Sequence, residues 1–137
     1  MEIISSGFEL LSFHDTSIDS VVREPRVVTI EFSGAFLSKV HPAACGINWH
    51  IELGTLILSG VTGEEALFWY GDRVSKPHPK PDLPLDEIMN ASFDGKRFAF
   101  DGFVNNEPWY EWLVEADAFS LMPRKVKRSN FGLTGRG

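Results

Sequence analysis

Apolar and polar side chains alternate with a period of two along much of this chain, which is the pattern of half-buried β-strands. Between Arg26 and Phe32 every second residue is a large apolar one. Residues 48–61 begin in the same way and become apolar on both sides after Gly54, which indicates a bulge or bend leading into the core. We predict further strands at residues 7–13, 17–22, 35–37 and 66–70.

Residues 88–101 predict an antiparallel hairpin around the turn residues Asp94 and Gly95. Side chains that are directly opposed across a hairpin share one face of it. A two-residue turn pairs Ala91 with Phe98 and Met89 with Phe100, so the predicted core face consists of Met89, Ala91, Phe98 and Phe100.

Residues 108–122 fit two patterns. As a strand, they direct Tyr110, Trp112, Val114 and Ala116 inward, with a bulge near residues 117–118. As a helix, they place Trp109, Trp112, Leu113 and Ala116 on one stripe. The aromatic and β-branched content favours the strand.

The expected fold class is therefore all-β, an antiparallel β-sandwich or flattened barrel of about seven to nine strands. A length of 137 residues suits one domain. We assign residues 1–123 to a single β domain and residues 124–137 to a basic, flexible C-terminal tail.

Charge is distributed unevenly between these two parts. Residues 1–123 hold all 19 acidic residues and eight of the 13 basic ones, a net charge of −11, whereas residues 124–137 carry +5. This distribution is explained either by a soluble acidic domain with a frayed basic end, or by an acidic body that faces a cationic partner. A negative body argues against nucleic-acid binding and favours a cationic protein partner.

The sequence also limits the compartment and the cofactors. No apolar run approaches the roughly 18 residues that cross a bilayer, and the N-terminus lacks the features of a secretory signal. Cys45 is the single cysteine, which fits a reducing compartment. We expect a cytoplasmic protein that does not bind a membrane and has no metal or other cofactor.

Few residues suggest catalysis. His14 and Asp15 are adjacent in a predicted turn, where an aspartate ordinarily bonds to backbone donors. His41, His50, His78 and Cys45 have no spacing typical of a zinc site. An enzymatic interpretation would require at least two of His14, Asp15, His50, Glu52 and Glu111 to converge in one cleft, and we predict no catalytic residue.

Trp109 is the strongest candidate for contact with a partner. In the strand interpretation it points outward beside Pro108, on the same side as Glu111 and Glu115. Exposed tryptophans often anchor protein interfaces. The predicted partner-binding residues are Trp109, Glu111, Glu115, Glu64, Glu65 and Asp72.

Three short segments together suggest a family. Residues 13–18 (Phe-His-Asp-Thr-Ser-Ile), 30–34 (Ile-Glu-Phe-Ser-Gly) and 111–116 (Glu-Trp-Leu-Val-Glu-Ala) resemble small β-rich bacterial domains that open with a Phe-His-Asp turn. Some of these domains are immunity proteins of polymorphic toxin systems. The resemblance implies a non-enzymatic inhibitor of a cognate toxin, with His14 and Asp15 as a structural turn signature. The basic tail is not part of this pattern.

The leading functional hypothesis is thus an immunity-type inhibitor that occludes the cationic cleft of a nuclease-like toxin. Its acidic side chains would occupy the places where the toxin normally holds phosphates. The alternative hypothesis is a small-molecule-binding β-barrel whose phenylalanine and tryptophan side chains line an internal cavity.

Overall fold

The computed structural model describes residues 1–69, 75–78 and 81–129. It is 64% strand and 5% helix, and its strands form one antiparallel sheet that does not close. The predicted all-β class is confirmed, and the described residues form eleven strands in place of the seven to nine expected. The strands are β1 (Leu11–Ser12), β2 (Thr16–Glu24), β3 (Val27–Ser33), β4 (Ala35–Leu37), β5 (Trp49–Ser59), β6 (Gly63–Trp69), β7 (Ser75–Pro77), β8 (Glu87–Phe93), β9 (Arg97–Val104), β10 (Glu107–Glu115) and β11 (Ala118–Arg128).

Two short 3-10 helices, Phe8–Leu10 and Pro42–Ala44, interrupt the strands. The first corrects the strand predicted at residues 7–13. Gly7 adopts a φ of 68°, which turns the chain so that the amide of Leu10 donates to the carbonyl of Gly7 at 2.9 Å. Within the described ranges, no helix is long and apolar enough to cross a bilayer.

The sheet folds over on itself and encloses an aromatic core. Its strand order is β1-β4-β5-β3-β2-β8-β9-β10-β6-β7, with β11 added beside β5. Phe98 of β9 lies 6.2 Å from Phe119 of β11, centroid to centroid. Phe8 packs against both rings, at 5.3 and 5.1 Å. The two halves of the sheet therefore face each other as in a sandwich.

The β8–β9 hairpin exists, but its register differs by two residues from the prediction. Phe93 lies opposite Phe98, and Ala91 lies opposite Phe100. The carboxylate of Asp94 accepts hydrogen bonds from the backbone amides of Lys96 and Arg97, at 2.9 and 2.8 Å. The turn is therefore centred between Gly95 and Lys96. An even shift leaves each side chain on its predicted face, and Phe98 and Phe100 are fully buried.

Met89 is the exception on this hairpin, because the register shifts again between Ile88 and Asn90. The irregularity directs Ile88 into the core, where it is 1% exposed. Met89 is only half-buried and lines a surface pocket. Its predicted place in the core was therefore wrong, and the bulge is the physical reason.

The strand interpretation of residues 108–122 is confirmed. Tyr110, Trp112, Val114 and Ala116 are all buried, as predicted. The bulge predicted near residues 117–118 is instead a break between two strands: β10 pairs with β6 and β9, whereas β11 pairs with β5.

Strand β11 extends beyond the predicted end of the domain. Residues 124–128 belong to this strand, and Lys125, Lys127 and Arg128 are each paired with a residue of β5. The start of the predicted tail at residue 124 was therefore wrong, since backbone pairing continues to Arg128. The remainder of the predicted tail from residue 130 lies outside the described residues.

Candidate functional site

Strand β10 organises the candidate site because it lies between β9 and β6. Alternation along β10 buries Tyr110, Trp112 and Val114 and directs the intervening side chains away from the core. We call this outward surface of the three strands the outer face. Strand pairing places on it Glu65 of β6, Arg97 and Asp101 of β9, and Glu111, Leu113 and Glu115 of β10. Trp69 of β6 and Trp109 of β10 join them, because Trp69 bonds to Glu111 and both tryptophans line one pocket with Asp101 and Glu111.

Trp109 is the most exposed aromatic side chain that the structure describes on this face, with 63% of its surface accessible. Its φ is 79°, in the left-handed region, and the register of β9 and β10 shifts between Glu107 and Tyr110. A non-glycine residue in such a conformation costs on the order of 1–3 kcal/mol and is found preferentially at functional sites. The irregular backbone therefore holds a large apolar side chain in solvent at an energetic cost.

A pocket of about 370 Å³ opens beside Trp109. Its lining residues are mostly aromatic or otherwise apolar and include two acids: Trp69, Met89, Asp101, Gly102, Phe103, Pro108, Trp109, Tyr110 and Glu111. A concave apolar surface with a few placed polar groups is the usual form of a binding site.

The two carboxylates of this pocket are held in place by neutral donors. The indole Nε1–H of Trp69 donates to Oε1 of Glu111 at 3.0 Å. The side-chain amide of Asn90 donates to Oδ1 of Asp101, also at 3.0 Å. Asp101 and Glu111 are directly opposed across β9 and β10, an arrangement that is destabilising for two like charges.

A second depression, of about 410 Å³, lies further along the same strands. Its lining includes Glu65, Arg97, Leu113 and Glu115. Here the directly opposed pair on β9 and β10 is Arg97 and Glu115, which have opposite charges. Glu64 also belongs to this lining, so both depressions are net negative, but two carboxylates are directly opposed at the aromatic pocket and a carboxylate and a cation at the second depression.

Glu64 occupies a different environment from its neighbours. Its carboxylate accepts hydrogen bonds from the guanidinium of Arg23, at 2.6 to 3.0 Å, and from the indole of the buried Trp112, at 2.8 Å. Burial opposes its ionisation, but the hydrogen bonds from Arg23 and Trp112 and the charge of Arg23 outweigh this and lower the pKa of Glu64. Because this carboxylate already binds Arg23 of β2 and Trp112 of β10, Glu64 connects its own strand, β6, to these two strands.

The structure thus brings four of the six predicted contact residues to the outer face: Trp109, Glu111, Glu115 and Glu65. Glu64 is turned toward Arg23, and Asp72 lies outside the described residues. Sequence reasoning missed Trp69 and Asp101 as pocket residues. Asp101 ends the predicted hairpin and lies outside its predicted core face, and a prediction of which strand lies beside that hairpin would have identified it.

His14 and Asp15 lie on the turn between β1 and β2. His14 Nε2 is 3.5 Å from Asp15 Oδ2, and more than 60% of each side chain is exposed. His50 stacks on Phe36 with ring centroids 4.6 Å apart, on β5, and Glu111 is part of the pocket on β10. His14 and Asp15 are thus in contact on one exposed turn, whereas His50 and Glu52 lie on β5 and Glu111 lies on β10.

The other histidines that were weighed as metal ligands have structural contacts. The ring of His41 accepts a hydrogen bond from the amide of Ala43 and contacts the carbonyl of Ser6 at 2.7 Å. His78 is buried with its ring against the carbonyl of Pro84. Across residues 1–69, 75–78 and 81–129, no three histidine, cysteine or acidic side chains form a group that could hold a metal ion.

No protein-family model, curated protein sequence or solved structure matches this chain. The outer face, with Trp109 and its pocket, therefore has to be interpreted from its own geometry and charge.

Proposed function

We propose that this chain is a non-enzymatic binding protein that recognises a cationic protein partner through the outer face. The observation that carries the proposal is Trp109, a 63% exposed tryptophan held at a φ of 79° over an apolar pocket. Tryptophan is enriched among the residues that dominate interface energies, because it buries a large area with few rotatable bonds.

The charge of the partner is inferred from the surroundings of Trp109. Glu65, Asp101, Glu111 and Glu115 lie on the same face, together with Arg97. The whole chain has a net charge of −6. Such a field attracts a cationic surface, raises the rate of association and disfavours anionic competitors such as nucleic acid.

The most specific form of this proposal is an immunity-type inhibitor of a nuclease-like toxin. A nuclease cleft is lined with cations that hold phosphates. Carboxylates of the outer face would take the positions of those phosphates, while Trp109 would pack beside the cleft and exclude substrate. Inhibition of this kind requires no catalytic residue. The proposal places the protein in the cytoplasm, where the single free thiol of Cys45 persists unpaired.

Co-expression tests the proposal. The product of the gene immediately upstream is induced alone, with this chain, and with a variant that combines Trp109→Ala, Glu111→Gln and Glu115→Gln. We expect growth to stop with the upstream product alone, to recover with the wild-type chain and to remain arrested with the variant. A harmless upstream product, or binding that is no tighter at low salt than at high salt, would contradict the proposal.

A matched control variant distinguishes loss of binding at the outer face from a general effect of three substitutions on folding. Val40→Ala, Glu9→Gln and Glu52→Gln together remove one exposed apolar side chain and two acids from other elements of the fold. This control is expected to protect as well as the wild type.

The pocket beside Trp109 also favours a second candidate, the binding of a small molecule. The site differs from the internal cavity expected of a barrel, because Phe8, Phe93 and Phe98 pack against one another in the interior, Phe93 and Phe98 face to face and Phe8 edge-on to both. An increase in melting temperature with a small apolar or aromatic ligand, abolished by Trp109→Ala, would favour this candidate over a protein partner.

A further inference from the structure

We infer that the pocket beside Trp109 accepts the guanidinium group of an arginine side chain. This inference rests on the proposed function, since the arginine would belong to the cationic protein partner, and it specifies which contact the pocket makes. It is based on two features of the pocket, its aromatic walls and its pair of opposed carboxylates.

The aromatic walls suit a flat cation. Trp69, Phe103 and Trp109 are the aromatic residues of the lining that do not belong to the buried face of β10. The face of an aromatic ring carries a partial negative charge that attracts a cation, and tryptophan is the strongest of these rings. A guanidinium group is planar and weakly hydrated, so it stacks on such a ring with little loss of solvation.

The carboxylates suit a cation with two hydrogen-bonding edges. Asp101 and Glu111 are directly opposed on neighbouring strands, where opposed Cβ atoms are roughly 4.5–5.5 Å apart. Each is oriented by one neutral donor on one oxygen, Asn90 for Asp101 and Trp69 for Glu111. In the part of the chain that the structure describes, neither forms an ion pair with a cation.

This geometry distinguishes arginine from lysine. Two negative charges that repel each other across adjacent strands are both neutralised when one cation lies between them. The guanidinium group presents five N–H donors in a fixed fork, so it can address both carboxylates while its face stacks on Trp109. An ammonium group is a strongly hydrated point charge without this planar fork.

The test is an NMR titration of the full chain with three capped amino acids: N-acetyl-arginine-N′-methylamide, its lysine counterpart and its citrulline counterpart. Citrulline matches arginine in shape but carries no charge. The indole N–H signals of Trp69 and Trp109 report on the pocket, and that of the fully buried Trp112 serves as an internal reference. We expect saturable shifts at Trp69 and Trp109, with arginine binding at least about fivefold tighter than lysine.

Charge-removing variants provide the matched comparison. Asp101→Asn with Glu111→Gln keeps an acceptor oxygen for each neutral donor, so the fold is retained. We expect this double variant to bind arginine about five- to tenfold more weakly. Glu9→Gln with Glu52→Gln, which lie on other elements, should leave the arginine titration unchanged. Equal shifts with citrulline, or an unchanged titration in the pocket variant, would overturn the inference.

The outcomes also separate this inference from the proposed function. If a partner binds the wild-type chain but tolerates Asp101→Asn with Glu111→Gln, the arginine pocket is wrong and the recognition face is retained. If the pocket binds arginine but the upstream product is harmless, the proposed inhibitor function is wrong and the pocket is retained.

Discussion

The indole Nε1–H of Trp112 donates a 2.8 Å hydrogen bond to Oε2 of Glu64, the carboxylate that also binds Arg23. Trp112 is fully buried on β10, Glu64 lies on β6 and Arg23 lies on β2. The Glu64 carboxylate thus accepts the hydrogen bond of the buried indole. It also connects β6 and β10 to β2, which is not adjacent to either strand in the sheet.

Replacement of Glu64 is expected to lower stability. Glu64→Gln keeps an acceptor for the indole but removes the ion pair with Arg23, whose side chain is 32% exposed. We predict a loss of about 1 kcal/mol in the free energy of unfolding, measured by urea denaturation. Glu65→Gln, on the exposed neighbour, should change it by less than about 0.5 kcal/mol. Equal effects of the two variants would contradict a structural role for Glu64.

Acidification is expected to reduce the contribution of Glu64. Its folded-state pKa lies below the ordinary value of 4.5, so the stabilisation is fully present above that pH. As the pH falls further, the unfolded chain takes up the proton first, and the stabilisation is lost as the pH passes through the folded-state pKa. Denaturation at a series of pH values should show a smaller decrease for Glu64→Gln than for the wild type below about pH 4.5.

Asp94 contributes to the acid dependence with the same sign. Backbone hydrogen bonds from Lys96 and Arg97 lower the pKa of this exposed carboxyl. It is unchanged in the Glu64→Gln variant, so the difference between the two profiles isolates Glu64. Parallel profiles would show that the ion pair with Arg23 does not favour the charged form.

Removal of Trp109 is expected to leave the fold intact. Trp109→Gly removes a largely exposed ring and places the residue type best suited to a φ of 79° at that position. We predict a change of less than about 1 kcal/mol in the free energy of unfolding, against about 3–5 kcal/mol for Trp112→Ala in the core. A large loss for Trp109→Gly would mean that the tryptophan serves packing rather than recognition.

Gly102 is expected to tolerate no side chain. It lies opposite Ile88 at the bulge of the β8–β9 hairpin, and a Cβ atom there would meet the carbonyl oxygen of Glu87. Gly102→Ala should lower the free energy of unfolding by about 1–3 kcal/mol in thermal or urea denaturation. Ser92→Ala, on an exposed position of the same hairpin, is the control and should have little effect. A stable Gly102→Ala variant would contradict the close approach of β8 and β9.

The period-two pattern predicted the buried side chains of β3 and β10 correctly. On β10 it separated Trp112 from Trp109, and the structure buries the first and exposes the second. On the β8–β9 hairpin the predicted register was wrong by two residues, yet the faces were right because an even shift preserves them. The single-residue irregularity at Met89 could not be predicted, since it depends on how β8 fits against β9.

The candidate site could be predicted only in part, because it depends on contacts between residues that are far apart in the sequence. The opposition of Asp101 and Glu111 depends on β9 lying beside β10, and the role of Glu64 depends on Arg23, 41 residues away. Local sequence carries neither relationship. Residues 8–10 likewise show strand-like alternation, but the left-handed Gly7 starts a 3-10 turn there.

The most direct test of the recognition face is the dissociation constant of the complex with the upstream gene product, measured by calorimetry at two salt concentrations. The chains compared are the wild type, the Trp109→Ala, Glu111→Gln, Glu115→Gln variant and the Val40→Ala, Glu9→Gln, Glu52→Gln control. We predict at least about a hundredfold weaker binding for the face variant, a smaller salt dependence, and wild-type binding for the control. Equal affinity of the face variant and the control would contradict the assignment of the outer face.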